Sequence, residues 1–263
     1  MMELKTRHVV KGQVVLESAL HVGTGRPGRS GSDQGVMLTP GGRPLIPGSS
    51  LKGVLRSTAE SLAGHLGMTA CFLAPEGKCL TGKQQEESTF REWLKEDPSA
   101  GEIRQRLRAN LCDACLLFGS PLAAGKVRMV DAVAERQVMP EIRDGVGLDR
   151  DARTAKPRIK FDFEVVPAGL RFDFRLDAEN LEDREKALLW AALREWTRGF
   201  FVGGKVSRGL GAARLADLSW AEADLSDPGQ RVAYLARGEM KELAAEDLDR
   251  FLEGVLAAGG TDA

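Results

Sequence analysis

The sequence contains no apolar run as long as the roughly 18 residues that a membrane-spanning helix requires, which excludes such a helix. Its N-terminus also lacks the apolar core of a secretory signal peptide. We therefore expect a cytoplasmic protein with no membrane partner. Cysteine is scarce, with four in 263 residues, and cytoplasmic cysteines serve more often as thiols or metal ligands than as disulfides.

An excess of charge of one sign is also lacking, since the formal net charge is -1. Positive charge is nevertheless concentrated in residues 1–56 and 126–214, whereas residues 216–263 are acidic on balance. Basic segments in a nearly neutral chain favour local contact with an anionic ligand. The composition, 43% hydrophobic and 29% charged, is that of a folded chain, and the length suits one large domain with insertions.

The stretch from Pro44 to Arg56 (Pro-Leu-Ile-Pro-Gly-Ser-Ser-Leu-Lys-Gly-Val-Leu-Arg) changes from a turn into a helix. Ser49 or Ser50 is expected to cap that helix. Lys52 and Arg56 are four residues apart, so both cations lie on one helix face. Free N–H groups, two hydroxyls and two cations in the first turns could hold a phosphate. The alternative is an ordinary capped helix with a solvated basic face.

Two glycine-rich loops flank the middle of the chain. Residues 23–35 contain G-x-G-x-x-G, but polar loop sequence follows where a dinucleotide-binding helix would begin, so we reject a Rossmann site. The Gly-Lys-Ser/Thr of a P-loop is also missing. Residues 203–211 form the second loop, in which Lys205, Ser207 and Arg208 could contact phosphates without reading bases. For each cation alone, a solvated surface charge is the alternative.

The order of elements predicts the fold class. Alternating apolar residues predict strands at 158–165 and 170–177, which we expect to pair as an antiparallel hairpin around the Pro167–Gly169 turn. Further strands are predicted at 8–22, 126–133 and 212–215, and helices at 49–66, 181–201 and 239–256. This order is typical of an α+β protein with a ferredoxin-like antiparallel sheet core, helices on one face and insertions.

All four cysteines lie in the irregular region 67–120, as Cys71, Cys79, Cys112 and Cys115. Cys112 and Cys115 form a C-x₂-C pair, and four thiolates suit a tetrahedral structural zinc ion. A region with few large apolar residues gains stability from such a metal. His65 could replace Cys71 or Cys79 as a ligand. The alternative is a set of buried, unliganded cysteines.

Three stretches together resemble the RAMP superfamily (repeat-associated mysterious proteins), and within it the backbone subunits of type III CRISPR effector complexes. They are His21–Gly25 with Asp33–Met37, then Pro44–Arg56, then Gly203–Gly211. Shorter similarities follow the family order at Leu117–Gly119, Val130–Ala132 and Phe163–Gly169. The resemblance covers about residues 8–216 and leaves the C-terminal helix outside. Each motif is weak alone, but their ordered combination is specific.

The resemblance implies a single RAMP domain, residues 1–263, with an RRM-like ferredoxin core. Its expected insertions are a cysteine-containing lid at 67–120 and a thumb ribbon at 137–157. A C-terminal helical extension at 221–263, outside the resemblance, is expected from its amphipathic pattern. Such subunits stack along a guide RNA, and the thumb displaces a base of the guide–target duplex at regular intervals. The implied partners are guide RNA, target RNA, copies of this chain and other subunits of the complex.

The resemblance also implies that Asp33 cleaves the target RNA with a divalent metal, Mg²⁺ or Mn²⁺. The family usually has a proline two residues after this aspartate; here it is Gly35, which predicts a less rigid loop. The residues expected to bind RNA are Ser49, Ser50, Lys52, Arg56, Lys205, Ser207 and Arg208.

Two alternatives remain at this point. Asp33 could be an ordinary turn residue, in which case the protein is a non-catalytic RNA scaffold. Alternatively, the protein could be a guide-processing ribonuclease that acts alone. Such enzymes generally work with histidine, whereas His8 and His21 flank a predicted strand and are expected to be structural.

Overall fold

A computed structural model describes residues 3–28, 31–71, 79–148 and 155–259, without the side chains of 147–148, 155–160 and 259. The strands are β1 (Thr6–Leu16), β2 (Leu45–Ile46), β3 (Val127–Met129), β4 (Ala132–Val133), β5 (Glu141–Leu148), β6 (Ala155–Val165), β7 (Arg171–Glu179), β8 (Phe200–Phe201), β9 (Ala212–Asp224) and β10 (Lys241–Leu243). The α-helices are α1 (Gly48–Leu62), α2 (Gln84–Leu94), α3 (Ala100–Asn110), α4 (Asp113–Phe118), α5 (Asp183–Arg198), α6 (Pro228–Arg237) and α7 (Ala245–Gly259).

A central antiparallel sheet organises the fold, with strand order β10-β9-β1-β7-β3 and β8 paired to β9. The chain passes through it as β1-α1-β3-β7-α5-β9, which is the predicted βαββαβ order. The α+β class with an antiparallel sheet is thereby confirmed. The RRM-like assignment within that class stays a prediction.

The core lies between one face of this sheet and helices α1 and α5. Alternate residues of β1 and β7, such as Val10 and Phe174, are buried on that face, as the period-2 pattern of a half-covered sheet requires. From α5, Trp196 packs edge-on against Phe174, with ring centroids 6.1 Å apart. Leu55 of α1 belongs to the same cluster. The helices therefore pack against one face of the sheet.

The predicted hairpin between 158–165 and 170–177 is wrong. Both segments are strands, but β6 pairs with β5, whereas β7 pairs with β1 and β3. A strand has two hydrogen-bonding edges, and those of β7 are both taken by strands of the central sheet. The alternation of apolar and polar residues along β6 and β7 predicts which side chains are buried, but it carries no information about which strand pairs with each of them.

The β5–β6 pair forms its own two-stranded sheet. It overlaps the predicted thumb at 137–157, of which residues 149–154 lie outside the described chain. Phe163 is paired with Arg143 across this ribbon. The base of the ribbon joins the first glycine-rich loop, because Glu164 donates its backbone N–H to the Gln34 carbonyl at 2.9 Å.

The C-terminal extension predicted for 221–263 starts within the last long strand of the central sheet. Strand β9 runs on to Asp224, and β10 adds a further strand beside it. Helix α6 was not predicted, although Asp227 caps it, Pro228 opens it and Gly238 ends it, which are standard helix signals. Helix α7 packs on α5, where Trp190 donates its indole N–H to Asp249 at 2.8 Å.

None of the helices in the described parts of the chain combines the length and apolar character that crossing a bilayer requires.

Candidate functional site

The first glycine-rich loop is closed on itself by backbone hydrogen bonds. Thr24 donates to the Gly35 carbonyl, and Gly35 donates to the Arg26 carbonyl, each at 2.9 Å. Gly28 and Gly35 cross so closely that a Cβ on Gly35 would lie 2.6 Å from the Gly28 Cα. Gly35 therefore allows a tight crossing and also supplies an N–H that a proline at this position would lack.

Asp33 lies exposed on this loop and is held by the ribbon. Its backbone N–H donates to Asp162 Oδ1 at 2.7 Å, and the Asp162 N–H donates in return to Asp33 Oδ2 at 3.0 Å. Two carboxylates on different segments thus orient each other. Sequence reasoning missed Asp162, because it looked like one of several polar residues on the solvent face of β6.

The second glycine-rich loop packs beside the first. Gly204 donates its N–H to the His21 carbonyl at 2.8 Å, and Lys205 Nζ donates to Gln34 Oε1 at 2.7 Å. The Lys205 ammonium also lies 4.5 Å from the ring centroid of Phe163, a cation–π contact. Burial, and then the nearby charge of Arg208, lower the pKa of Lys205.

A cleft of about 380 Å³ opens between these two loops and the ribbon. It is lined by Gln34, Phe161, Lys205, Ser207 and Arg208. Three of the predicted RNA-binding residues are therefore brought next to the Asp33 loop. Phe161 was predicted only as a residue of the buried strand face. It lines the cleft because the ribbon packs against the first glycine-rich loop, a contact between distant segments of the chain.

Helix α1 begins differently from the prediction. Its N-cap residue is Pro47, which makes no side-chain cap, so Ser49 and Ser50 are first-turn residues and not caps. Instead, the Gly48 N–H donates to Asp131 Oδ1 at 2.8 Å. A Cβ on Gly48 would lie 2.5 Å from the Met129 carbonyl oxygen. The helix start therefore packs directly on the end of β3.

The two cations of α1 have different surroundings. The Arg56 guanidinium donates to Glu60, to the Gly119 carbonyl and to the Cys115 sulfur. Lys52 has no hydrogen bond or ion pair with any residue in the described part of the chain. Burial, then the charges of Arg56 and Arg128, lower the pKa of Lys52.

No hydrogen bond or ion pair links α1 to the second glycine-rich loop within the described ranges. The structure therefore places the RNA-binding candidates in two groups. Ser49, Ser50, Lys52 and Arg56 lie on α1, and Lys205, Ser207 and Arg208 lie at the cleft.

The four cysteines come together as a buried cluster, with every sulfur within 4.8 Å of the others. Cys115 Sγ lies 3.7 Å from Cys71 Sγ and 3.9 Å from Cys79 Sγ. A tetrahedral zinc ion with Zn–S bonds of about 2.3 Å requires sulfurs about 3.8 Å apart, so the spacing and the soft donors fit zinc. The cluster could hold a metal such as zinc.

His65, the predicted substitute ligand, is exposed and lies outside the cysteine cluster. Within the cluster, a hydrogen bond from Cys112 lowers the pKa of Cys115 against the effect of burial, and Thr81 and Arg56 act in the same direction. A thiol stabilised as the thiolate is the form that binds a metal.

The fold and these sites define an α+β protein with a buried cluster of four cysteines that could hold a metal and a basic cleft beside an exposed aspartate. The chain belongs to the RAMP superfamily, whose family model matches residues 13–214. The chain is similar to the CRISPR system Cms endoribonuclease Csm3 of Methanothermobacter thermautotrophicus, 23% identical over 259 residues, 92% of this chain and 97% of that protein. It is also similar to the protein of the same name from Methanocaldococcus jannaschii, 25% identical over 234 residues, 82% of this chain and 81% of that protein.

Proposed function

We propose that this protein is a guide-RNA-binding backbone subunit of a type III CRISPR complex and that it cleaves RNA complementary to the guide. Its relatives are named CRISPR endoribonucleases and align with most of the chain. The observation that carries the proposal is the position of Asp33, which the ribbon fixes beside a cleft lined by two cations and an aromatic ring. We further propose a cytoplasmic location.

The proposed subunit is one RAMP domain over residues 1–263. The cysteine cluster would hold a structural zinc ion in the lid at 67–120, because a site with four protein ligands leaves no open position for catalysis. The ribbon β5–β6 would act as the thumb of the 137–157 region. Copies of this chain and other subunits would assemble along the guide.

RNA would be held by its phosphates and not by its bases, as a subunit that accepts any guide sequence requires. Lys205, Ser207 and Arg208 would contact one part of the backbone from the cleft. Lys52, with Ser49 and Ser50 at the start of α1, would contact another, because the N-terminal turn of a helix favours phosphate.

Asp33 would bind Mg²⁺ or Mn²⁺, which prefer carboxylate oxygens and keep several waters. When bound, the metal supplies charge stabilisation at the scissile phosphate. A displaced nucleotide allows the ribose 2′-oxygen to attack the adjacent phosphorus in line. The P–O5′ bond then breaks. The 2′-OH proton passes to a general base, and the leaving 5′-oxygen takes a proton from water. The products are a 2′,3′-cyclic phosphate and a 5′-hydroxyl.

The test is cleavage of guide-complementary RNA by assembled complexes that carry Asp33→Ala. We expect cleavage to be lost while guide and target binding stay at wild-type levels. Asp173→Ala, at an exposed position of the central sheet, is the matched control and should cleave normally. Undiminished cleavage with Asp33→Ala would overturn the catalytic assignment and leave an RNA scaffold. Cleavage of repeat RNA by the isolated chain would indicate a guide-processing ribonuclease.

A further inference from the structure

We propose that Arg56 is a positioning residue for the four-cysteine metal site and not a contact to RNA. Its guanidinium reaches from α1 into the cysteine-containing region. Nη2 donates to Cys115 Sγ at 3.2 Å, Nη1 donates to the Gly119 carbonyl at 2.9 Å, and Nε donates to Glu60 Oε1 at 2.8 Å. All three nitrogens of the Arg56 guanidinium therefore have partners within the protein, and the side chain is only 18% exposed.

Cys115 is the central ligand of the cluster. It is fully buried and lies close to Cys71, Cys79 and the Thr81 hydroxyl, the last at 3.2 Å. Arg56 is an ionised side chain that donates a hydrogen bond to the Cys115 sulfur. Hydrogen bonds of this kind orient metal ligands and tune their affinity.

The contact acts through direction as well as charge. Glu60 is one helical turn beyond Arg56, and its carboxylate forms an ion pair with the guanidinium at 2.8 Å, which offsets part of the charge. Glu60 also fixes the geometry of the Arg56 side chain. It accepts from Arg56 Nε, while Nη1 and Nη2 of Arg56 face the cysteine-containing region. Cys115 and the turn at Gly119, which lie at the two ends of one helical turn of α4, are both held against α1.

The arrangement couples the Pro44–Arg56 motif to the metal. If Arg56 holds a ligand of the bound metal, metal binding must in turn fix Arg56, since such coupling is reciprocal. It also leaves Lys52, one turn earlier on α1, as the cation that is available to a phosphate. The two cations of one motif would therefore have different tasks, one structural and one in binding.

The experiment compares zinc retention by the full chain with Arg56→Met, Arg56→Lys and the matched control Lys52→Met. Zinc content is measured by elemental analysis, and zinc loss by transfer to a chromogenic chelator. Thiolate-to-cobalt absorption of the Co²⁺-loaded proteins reports the ligand set. We expect Arg56→Met to weaken metal retention about tenfold to a hundredfold. Arg56→Lys should retain part of the effect, because lysine offers one donor site where arginine offers a fork.

Lys52→Met should retain zinc as the wild type does. The proposal is overturned if Arg56→Met retains zinc normally with an unchanged cobalt spectrum, or if wild-type protein reconstituted with Zn²⁺ holds none. Should Arg56→Met fail to fold, Glu60→Gln serves, since it loosens the Nε anchor and should speed zinc loss in the same direction. Normal zinc loss from Glu60→Gln would then count against the proposal. No RNA is present in these measurements, so their outcome is independent of the proposed nuclease function.

Discussion

Asp33 and Asp162 accept each other's backbone N–H groups, at 2.7 and 3.0 Å, although they are 129 residues apart. This pair joins the first glycine-rich loop to the base of the β5–β6 ribbon. Hydrogen bonds to charged acceptors are stronger than those between neutral groups. The orientation of the proposed catalytic carboxylate is therefore set by the ribbon as well as by its own loop.

Replacement of Asp162 tests whether it positions Asp33. Asp162→Ala removes the acceptor for the Asp33 N–H, so we expect cleavage of guide-complementary RNA to fall about tenfold, the effect of losing about 1.4 kcal/mol of orientation. Asp162→Asn keeps a carbonyl acceptor at the same place and should retain most of the activity. Single-turnover cleavage by assembled complexes measures both.

The control for Asp162 is again Asp173→Ala, which removes an exposed carboxylate elsewhere and should have no effect. RNA binding should be unchanged in every variant. If Asp162→Asn is as inactive as Asp33→Ala, the charge of Asp162 takes part in the chemistry and the positioning role is contradicted.

Lys205 offers a test of phosphate binding at the cleft. Lys205→Met retains the packing of the side chain against Phe163 but removes the charge. We expect weaker RNA binding for guides of unrelated sequence alike, because phosphate contacts carry no base information. The slope of log affinity against log salt should become shallower by about 0.7, the value for one contact to a single strand.

Filter binding or anisotropy over a salt series, with two guides of different sequence, provides this measurement. Lys241→Met, at an exposed position of β10, is the matched control. An unchanged salt slope for Lys205→Met, or a loss restricted to one guide, would show that Lys205 does not bind the phosphate backbone.

Because His8 is buried, we expect the free energy of unfolding of the protein to depend on pH. His8 is 1% exposed, and burial lowers its pKa to about 4, with Glu222 opposing and Lys186 adding to the shift. The indole N–H of Trp220 points at His8 Nδ1 at 3.4 Å, so this nitrogen accepts and the ring is neutral. The unfolded chain binds a proton near pH 6.5 and the folded chain only near pH 4, so stability falls as the pH drops between these values.

The full contribution of His8 to this loss is about 3 kcal/mol. His8→Gln keeps an acceptor for Trp220 and cannot titrate, so its stability should depend less on pH between 6.5 and 4. Urea unfolding across this range measures the difference, and His65→Gln, at an exposed site, should behave as the wild type. Parallel curves for His8→Gln and the wild type would contradict the buried neutral state.

Several features of the site were predictable because they depend on residues close together in sequence. The Cys112–Cys115 spacing and the helix from Gly48 are local, and both agree with the structure in their main features. Lys205, Ser207 and Arg208 share one short loop and were predicted as one group. By contrast, the partner of β6 and the Asp33–Asp162 pair depend on how distant segments meet, which local periodicity does not encode.

By itself, the sequence determined the α+β class, the βαββαβ order, the family motifs and the four thiols, since these follow from residue type, alternation and spacing. Only the tertiary structure decided the roles within them. It brought four sulfurs within 4.8 Å of one another, opened a cleft between two glycine-rich loops, and directed Arg56 inward while leaving Lys52 unpaired among the described residues. The physical reason is that hydrogen bonds and side-chain packing act over a few ångströms, whereas these residues lie tens to hundreds of positions apart along the chain.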